Sequence, residues 1–166
     1  MGSPDVGVLT SRIVRWLLSM LLLSCDPGPP AGTDVGAMAP PLVATAVSGE
    51  PIDTSTLDRP TVLFFWASWS GATRHLLGEL PASGLRDPGI DWISINAGEP
   101  RHIVSQQGPL LGLPGRVVAD PEGRVGSRFS VDAVPVIVVL DARGVVRFRG
   151  HRLPSDMDAL LRGPDG

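Results

Sequence analysis

Residues 61–73 read TVLFFWASWSGAT, and this stretch decides the fold. Its first six residues are apolar nearly throughout, as expected of a strand that is buried on both faces of a sheet. A helix is predicted to follow from about Gly71 to Leu80, because Leu76, Leu77 and Leu80 recur on one side of it. The stretch is therefore a buried strand that leads directly into a helix.

Short apolar segments alternate with turn signals through the rest of the chain. An edge strand and turn are predicted over residues 42–52, and Gly108-Pro109 is expected to end or break a helix that begins at Arg101. Ser155 is expected to cap the last helix. Further strands are predicted over residues 90–96, 115–119, 136–140 and 145–149, and helices over residues 101–111 and 155–163. This order predicts an α/β domain with a mixed central sheet between layers of helices.

The pattern resembles the thioredoxin superfamily, and within it the membrane-anchored TlpA/ResA-like thiol-disulfide proteins, over about residues 38–163. The resemblance rests on residues 64–69 (FFWASW), 120–123 (DPEG), 129–131 (FSV) and 134–144 (VPVIVVLDARG). It implies a thioredoxin-like three-layer fold in which Pro135 follows a cis peptide bond and faces the active site. It also implies a groove that binds extended peptide. The groove residues would be Trp69, Ser70, Gly71, Ala72, Thr73, Val134 and Pro135.

The two cysteines that carry the redox chemistry of this family are absent. Ser70 and Thr73 stand in their places, and a hydroxyl can neither form a disulfide nor ionise usefully near pH 7. Leu76 and Gly78 stand where the family often carries a glutamate and a proline. We therefore predict a degenerate site without catalytic residues, and a domain that does no redox work.

Ser70 has two possible roles at the start of the predicted helix. It can cap the helix by accepting from backbone N–H groups near Ala72 or Thr73, or it can act as a nucleophile if a base lies within reach. His75 lies five residues along the same helix, about 140° around it, and so points to another face. The cap is the favoured interpretation. The three histidines have no ligand spacing, so we predict neither a metal nor a cofactor.

The beginning of the chain has the pattern of an export signal. Arg12 and Arg15 precede the apolar residues 16–23, which are fewer than the roughly 20 needed to span a bilayer. Residues 22–25 (LLSC) resemble the lipobox of bacterial lipoproteins, in which the cysteine is lipidated and the signal is cut before it. We predict a signal peptide over residues 1–24 and lipidation of Cys25, the only cysteine. A buried structural cysteine and an ordinary secretory signal are the alternatives.

Residues 25–40 are rich in proline and glycine and have no apolar period. They predict a flexible tether between the lipid and a thioredoxin-like domain over residues 41–163. The expected location is the cell envelope, on the extracytoplasmic side of a bacterial membrane.

Composition argues against a nucleic-acid partner. The chain has 14 basic and 17 acidic residues, for a net charge of −3, and no basic face is evident. Arg143, Arg147, Arg149 and Arg152 lie close together in sequence, either as solvated strand and turn residues or as a binding surface.

Three functions remain open at this point. The favoured one is a binding or accessory module that holds a protein or peptide partner in the groove. The second is a component of a thiol-disulfide or cytochrome maturation pathway that relies on the thiols of a partner. The third is a purely structural component of the envelope.

Overall fold

The computed structural model describes residues 31–83, 87–156 and 159–160. Its centre is a five-stranded sheet made of β3 (Thr61–Trp66), β4 (Asp91–Ala97), β5 (Arg116–Asp120), β6 (Val136–Leu140) and β7 (Val146–Gly150). The strand order is β5-β4-β3-β6-β7. β3, β4 and β5 pair in parallel, whereas β6 pairs antiparallel with both β3 and β7. The prediction of a mixed central sheet is therefore confirmed.

Smaller elements cover the sheet. Two short strands, β1 (Val43–Thr45) and β2 (Pro51–Asp53), form an antiparallel sheet of their own. The predicted strand and turn are therefore present, and they form a hairpin with β2 that is separate from the central sheet. The helices are α1 (Gly71–Glu79), α2 (Arg101–Leu111) and α3 (Arg124–Arg128). The five-residue α3 was not predicted, since a helix of little more than one turn shows no apolar period.

The core lies on both faces of the central sheet because β3 alternates between them. Val62, Phe64 and Trp66 face one side, where they pack with Leu76 of α1 and Val104 of α2. On the other face, Leu63 and Phe65 pack in a cluster with Ile52 of β2 and with Phe129, which follows α3. All six residues of β3 are buried, as its apolar run predicts.

α2 continues through Gly108 and Pro109 to Leu111, so the prediction that these residues end or break it is wrong. Proline removes one helical hydrogen bond, and here it does so within the last turn. Only two helical residues follow Pro109, and Gly112 then ends the helix in the left-handed conformation, with φ 62°. The cost of the proline is therefore limited to one terminal turn.

Part of the predicted tether belongs to the folded domain. The N–H of Gly36 donates to the carbonyl of Val146 at 2.8 Å, and the N–H of Ala39 donates to the carbonyl of Gly144 at 3.0 Å. Ala37 is buried, with 5% of its surface exposed. Ala31 also forms a bridge with Met38. The tether prediction is therefore wrong for residues 31–39, because backbone pairing needs no apolar period.

Two predicted features lie wholly or partly outside the described residues. Cys25 and the signal peptide are outside them, and the last helix is described only in part. The carboxylate of Asp156 accepts from the N–H of Ala159 at 2.9 Å, three residues on, as a cap does. This carboxylate occupies the capping position that we predicted for Ser155. In the part of the chain that is described, no helix is long and apolar enough to cross a membrane.

Candidate functional site

The site begins where β3 gives way to α1. Ser70 is the N-cap residue, with extended backbone angles of φ −78° and ψ 115°. Its Oγ accepts from the N–H of Thr73 at 3.2 Å. Ser70 is buried, with 6% of its surface exposed. The geometry is that of the predicted helix cap.

The same serine connects α1 to the loop before β6. Its Oγ lies 3.5 Å from the carbonyl oxygen of Val134, to which the hydroxyl can donate. The peptide bond between Val134 and Pro135 is cis. Phe65 lies opposite Val136 in the sheet, so the end of β3 and the start of β6 meet at the same end of the sheet. The structure thus brings together the two segments that the sequence assigns to the groove.

Two further positions of α1 are filled by residues that serve the fold. Thr73 is fully buried, and its Oγ1 has no hydrogen-bond partner among the described residues. Leu76 is 3% exposed and belongs to the core under α1. A buried hydroxyl without a partner is unusual in a folded protein. The side chain of Thr73 therefore fills space without making a hydrogen bond.

Trp69 is the exception to this burial. It is 68% exposed, whereas Trp66, three residues before it, is fully buried. Gly71 and Ala72, the first residues of α1, are also exposed. An exposed tryptophan therefore stands beside the capped start of α1.

A carboxylate that the sequence analysis missed supports the backbone before Trp69. Glu99 accepts from the N–H of Ser68 at 2.7 Å and from the Oγ of Ser68 at 2.5 Å. It also accepts from Nδ2 of Asn96 at 2.7 Å, and its own N–H donates to Oδ1 of Asn96 at 3.0 Å. Asn96 itself is fully buried. The available signal was the position of Asn96 and Glu99 at the carboxyl end of β4, beside the carboxyl end of its parallel neighbour β3.

The ionised form of Glu99 is the one that the site favours. Burial by itself raises the pKa of this carboxyl group. The hydrogen bonds from the side chain and backbone of Ser68 and from Asn96 outweigh the burial, so the pKa lies below its ordinary value. Glu99 therefore holds Ser68 as a charged acceptor at neutral pH.

The histidines do not form a site with Ser70. His75 is exposed and pairs with Glu79 at 3.2 Å, on the solvent side of α1. Nδ1 of His151 lies 2.8 Å from the carbonyl of Pro135, which requires that Nδ1 carry the proton. Among the described residues, no group of three or more histidine, cysteine, aspartate or glutamate side chains is placed to hold a metal ion.

The four arginines near the end of the chain separate into different roles. Arg147 donates twice to Oδ2 of Asp141, at 3.0 and 2.8 Å. Arg149 donates to the carbonyl of Ser130 at 2.7 Å. Arg143 is largely exposed and lies 3.7 Å from the same Asp141 carboxylate. Arg152 is exposed as well. Two of the four thus serve the fold, and the cluster does not form one continuous basic surface.

Comparison with solved structures identifies the architecture. A secreted disulfide oxidoreductase of Mycobacterium tuberculosis, homologous to E. coli DsbE, superposes with a TM-score of 0.58 and 22% identity. The match covers 72% of this chain and 88% of that one. StoA from Bacillus subtilis gives a TM-score of 0.57 over 68% of this chain and 87% of that one, at 16% identity. The chain has the thioredoxin-like fold.

Sequence comparison agrees with the fold. The thioredoxin-like chain is 29% identical over 147 residues to a thiol:disulfide interchange protein DsbE of Xylella fastidiosa, which covers 86% of this chain and 74% of that protein. It is 26% identical over 119 residues to the thiol-disulfide oxidoreductase ResA of Geobacillus kaustophilus, covering 68% and 67%. No family model matches. The chain is therefore similar to DsbE and ResA proteins, as its resemblance to the TlpA/ResA-like group predicts.

Proposed function

We propose that this protein is a membrane-anchored, redox-inactive thioredoxin-like domain that binds an extended segment of a partner protein outside the cytoplasm. The observation that carries the proposal is the state of Ser70. It stands where the resemblance places the reactive cysteine, and its hydroxyl is engaged as a helix cap. A capping serine keeps the architecture of the site without its thiol chemistry.

Thr73 adds to this argument. Thiol-disulfide exchange needs a thiolate that attacks and a second sulfur that resolves the mixed disulfide. The second position is held by a fully buried threonine, which can do neither. The buried Leu76 adds a third change, because it replaces a polar residue of the family with a core residue. Three changes in one site are better explained by loss of the redox function than by a single substitution in an active enzyme.

Trp69 favours a retained binding role. Tryptophan is enriched at the centres of protein interfaces and is costly to leave in water without a purpose. Here it is 68% exposed, and the next residue, Ser70, lies 3.5 Å from the carbonyl oxygen of Val134. An extended peptide beside the loop at Val134 and Pro135 would pair with backbone groups and pack a side chain on the indole ring.

Fluorescence of Trp69 tests the binding claim. After removal of the signal peptide the protein keeps three tryptophans, and the other two, Trp66 and Trp92, are buried. Titration with an unfolded, carboxymethylated polypeptide that lacks tryptophan should therefore shift the emission, and Trp69→Phe should abolish the shift. Arg59→Ala, an exposed change just before β3 at the other end of the sheet, serves as the control. An unchanged titration in Trp69→Phe would refute the groove.

The location rests on Cys25. Extracytoplasmic placement is supported by the export signal and by the similarity to DsbE and ResA. Stable anchoring needs more than one acyl chain, and lipidation at Cys25 would supply them. Growth with a clickable fatty acid should label the wild-type protein and not Cys25→Ala. Equal labelling of both forms would contradict the anchor.

The second candidate is a role in a thiol-disulfide pathway that uses the thiols of a partner. The similarity to DsbE and ResA favours it. The two candidates differ in what a deletion does. If this protein serves such a pathway, loss of the gene should change the ratio of thiol to disulfide in exported proteins. A simple binding module predicts no change.

A further inference from the structure

The chain before β1 joins the central sheet at one particular end. The N–H of Gly36 donates to the carbonyl of Val146, and the N–H of Val146 donates to the carbonyl of Ala37 at 2.9 Å. Ala39 bonds to Gly144, within the turn that links β6 and β7. Residues 36–39 are therefore fixed beside this turn.

The groove lies at the opposite end of the same sheet. Phe65 lies opposite Val136, whereas Thr61 lies opposite Leu140. Trp69 follows β3 and Pro135 precedes β6, so both lie beyond the Val136 end, and the β6–β7 turn lies beyond the Leu140 end. Five residues of β6 separate the two ends, a distance of about 17 Å.

The chain between this end and the proposed lipid is short. Ala31 forms a bridge with Met38, and the N–H of Gly32 donates to the carbonyl of Met38 at 2.9 Å. The chain is therefore fixed to the domain from Ala31 onward. Only residues 26–30 lie between Ala31 and Cys25, and such a segment spans at most about 20 Å.

The surface at this end is suited to phospholipid headgroups. Val35 is 65% exposed, and the side chain of Arg143 is 76% exposed. Asp34 is exposed beside Val35, so the surface carries one acidic and one basic exposed side chain, which match the ammonium and the phosphate of a phosphatidylethanolamine headgroup. The carboxylate of Asp141 accepts from two backbone N–H groups and from Arg147. Arg143 lies farther from this carboxylate, which therefore neutralises Arg143 less than it neutralises Arg147. A cleft of about 260 Å³ opens beside it, lined by Gly36, Met38, Arg143, Val145 and Arg147.

We propose that this anchor end, residues 34–38 with 142–145, lies against the phospholipid headgroups of the membrane that holds the lipid, with Arg143 at their phosphates. The groove then faces away from the bilayer, and its partner is an extended segment in the aqueous compartment and not a loop at the membrane surface. This inference rests on the lipidation of Cys25 under the proposed function. Attraction of Arg143 to anionic lipid and the short connection act in the same direction.

Site-specific labelling tests the orientation. Because lipid would block the thiol of Cys25, Val35→Cys and Ala72→Cys each give the full-length lipidated chain a single reactive thiol, one at each end. Each form is labelled with bimane and reconstituted in vesicles of phosphatidylethanolamine and phosphatidylglycerol that contain a headgroup nitroxide. The nitroxide should quench bimane at position 35 several times more strongly than at position 72. Equal or stronger quenching at position 72 would overturn the orientation.

A charge change tests the headgroup contact. Arg143→Glu should weaken the quenching at position 35 severalfold on these vesicles. Arg124→Glu, an equally exposed change on α3 at the groove end, should not. No effect of Arg143→Glu would overturn the contact. The anchor has a separate readout: a wild-type chain that reacts with bimane, or that does not partition into vesicles, refutes lipidation and removes the basis of the inference.

Discussion

Replacing Glu99 tests whether a half-buried carboxylate holds the segment before Trp69. In Glu99→Ala three donors lose their acceptor: the N–H and Oγ of Ser68 and Nδ2 of Asn96. Asn96 is fully buried, so its unpaired amide alone costs about 1–3 kcal/mol. Ser68 is half-buried, and water can replace part of what it loses. We expect a decrease of about 2–3 kcal/mol in the free energy of unfolding.

Glu99→Gln separates charge from shape. The amide keeps one oxygen for Asn96 and the Ser68 N–H, and its NH2 group can donate to the Ser68 hydroxyl. Only the charge assistance is lost, so the expected decrease is about 1 kcal/mol. Glu50→Ala is the matched control, because Glu50 is exposed and its ion pair with Arg116 at 3.5 Å should contribute less than about 0.5 kcal/mol.

The effect of Glu99 depends on pH with a definite sign. Its folded-state pKa lies below the ordinary value, so its contribution is complete above the unfolded-state pKa of about 4.3. The contribution is lost as the pH falls through the lower folded-state pKa. The difference between wild type and Glu99→Gln should therefore be fully present at about pH 7 and smaller at about pH 3, below the unfolded-state pKa.

Urea unfolding followed by far-ultraviolet circular dichroism measures these differences. The reasoning predicts the order Glu99→Ala, then Glu99→Gln, then Glu50→Ala, from most to least destabilised. It is refuted if Glu99→Ala unfolds at the wild-type urea concentration, or if the Glu99→Gln difference is the same at both pH values.

Three further predictions concern the site and the fold. Ser70→Ala removes the cap and should lower the free energy of unfolding by about 1 kcal/mol. Thr73→Val removes a buried hydroxyl without a partner and should be neutral or stabilising. The opposite order of stability in urea denaturation would contradict these roles. Trp69→Ala should change stability by less than about 0.5 kcal/mol, while the buried Trp66→Ala should cost about 3–5 kcal/mol; equal losses would place Trp69 in the fold and not in a binding surface. Gly115→Ala should prevent soluble expression, because a Cβ there collides with the carbonyl of Trp92. Gly112 has a similar positive φ with open space around it, so Gly112→Ala should lower the free energy of unfolding by only about 1 kcal/mol. Equal thermal stability of the two variants would contradict the packing.

Local patterns predicted the central elements well. The continuous apolar run of β3 and the leucine spacing of α1 each lie within a single segment. The local pattern of apolar residues was therefore sufficient to predict these two elements. The cap at Ser70 was equally accessible, because the serine and the N–H of Thr73 are three residues apart.

The features that sequence reasoning missed depend on distant partners. Ser68 and Glu99 are 31 residues apart and meet only because β3 and β4 end at the same edge. Residues 36–39 pair with a turn more than a hundred residues later, through backbone groups that leave no side-chain pattern. Pro109 was misjudged for another reason: its effect depends on how much helix follows it, and only two helical residues do.

The central claim is that the site retains the thioredoxin-like architecture without redox activity. Its most direct test is insulin reduction by the full chain carrying Cys25→Ser, which has no thiol at all, beside the same chain with Ser70→Cys and Thr73→Cys as the control with both cysteines restored. We expect a rate equal to that of buffer when Ser70 and Thr73 are present. A rate above buffer in that chain would contradict the claim.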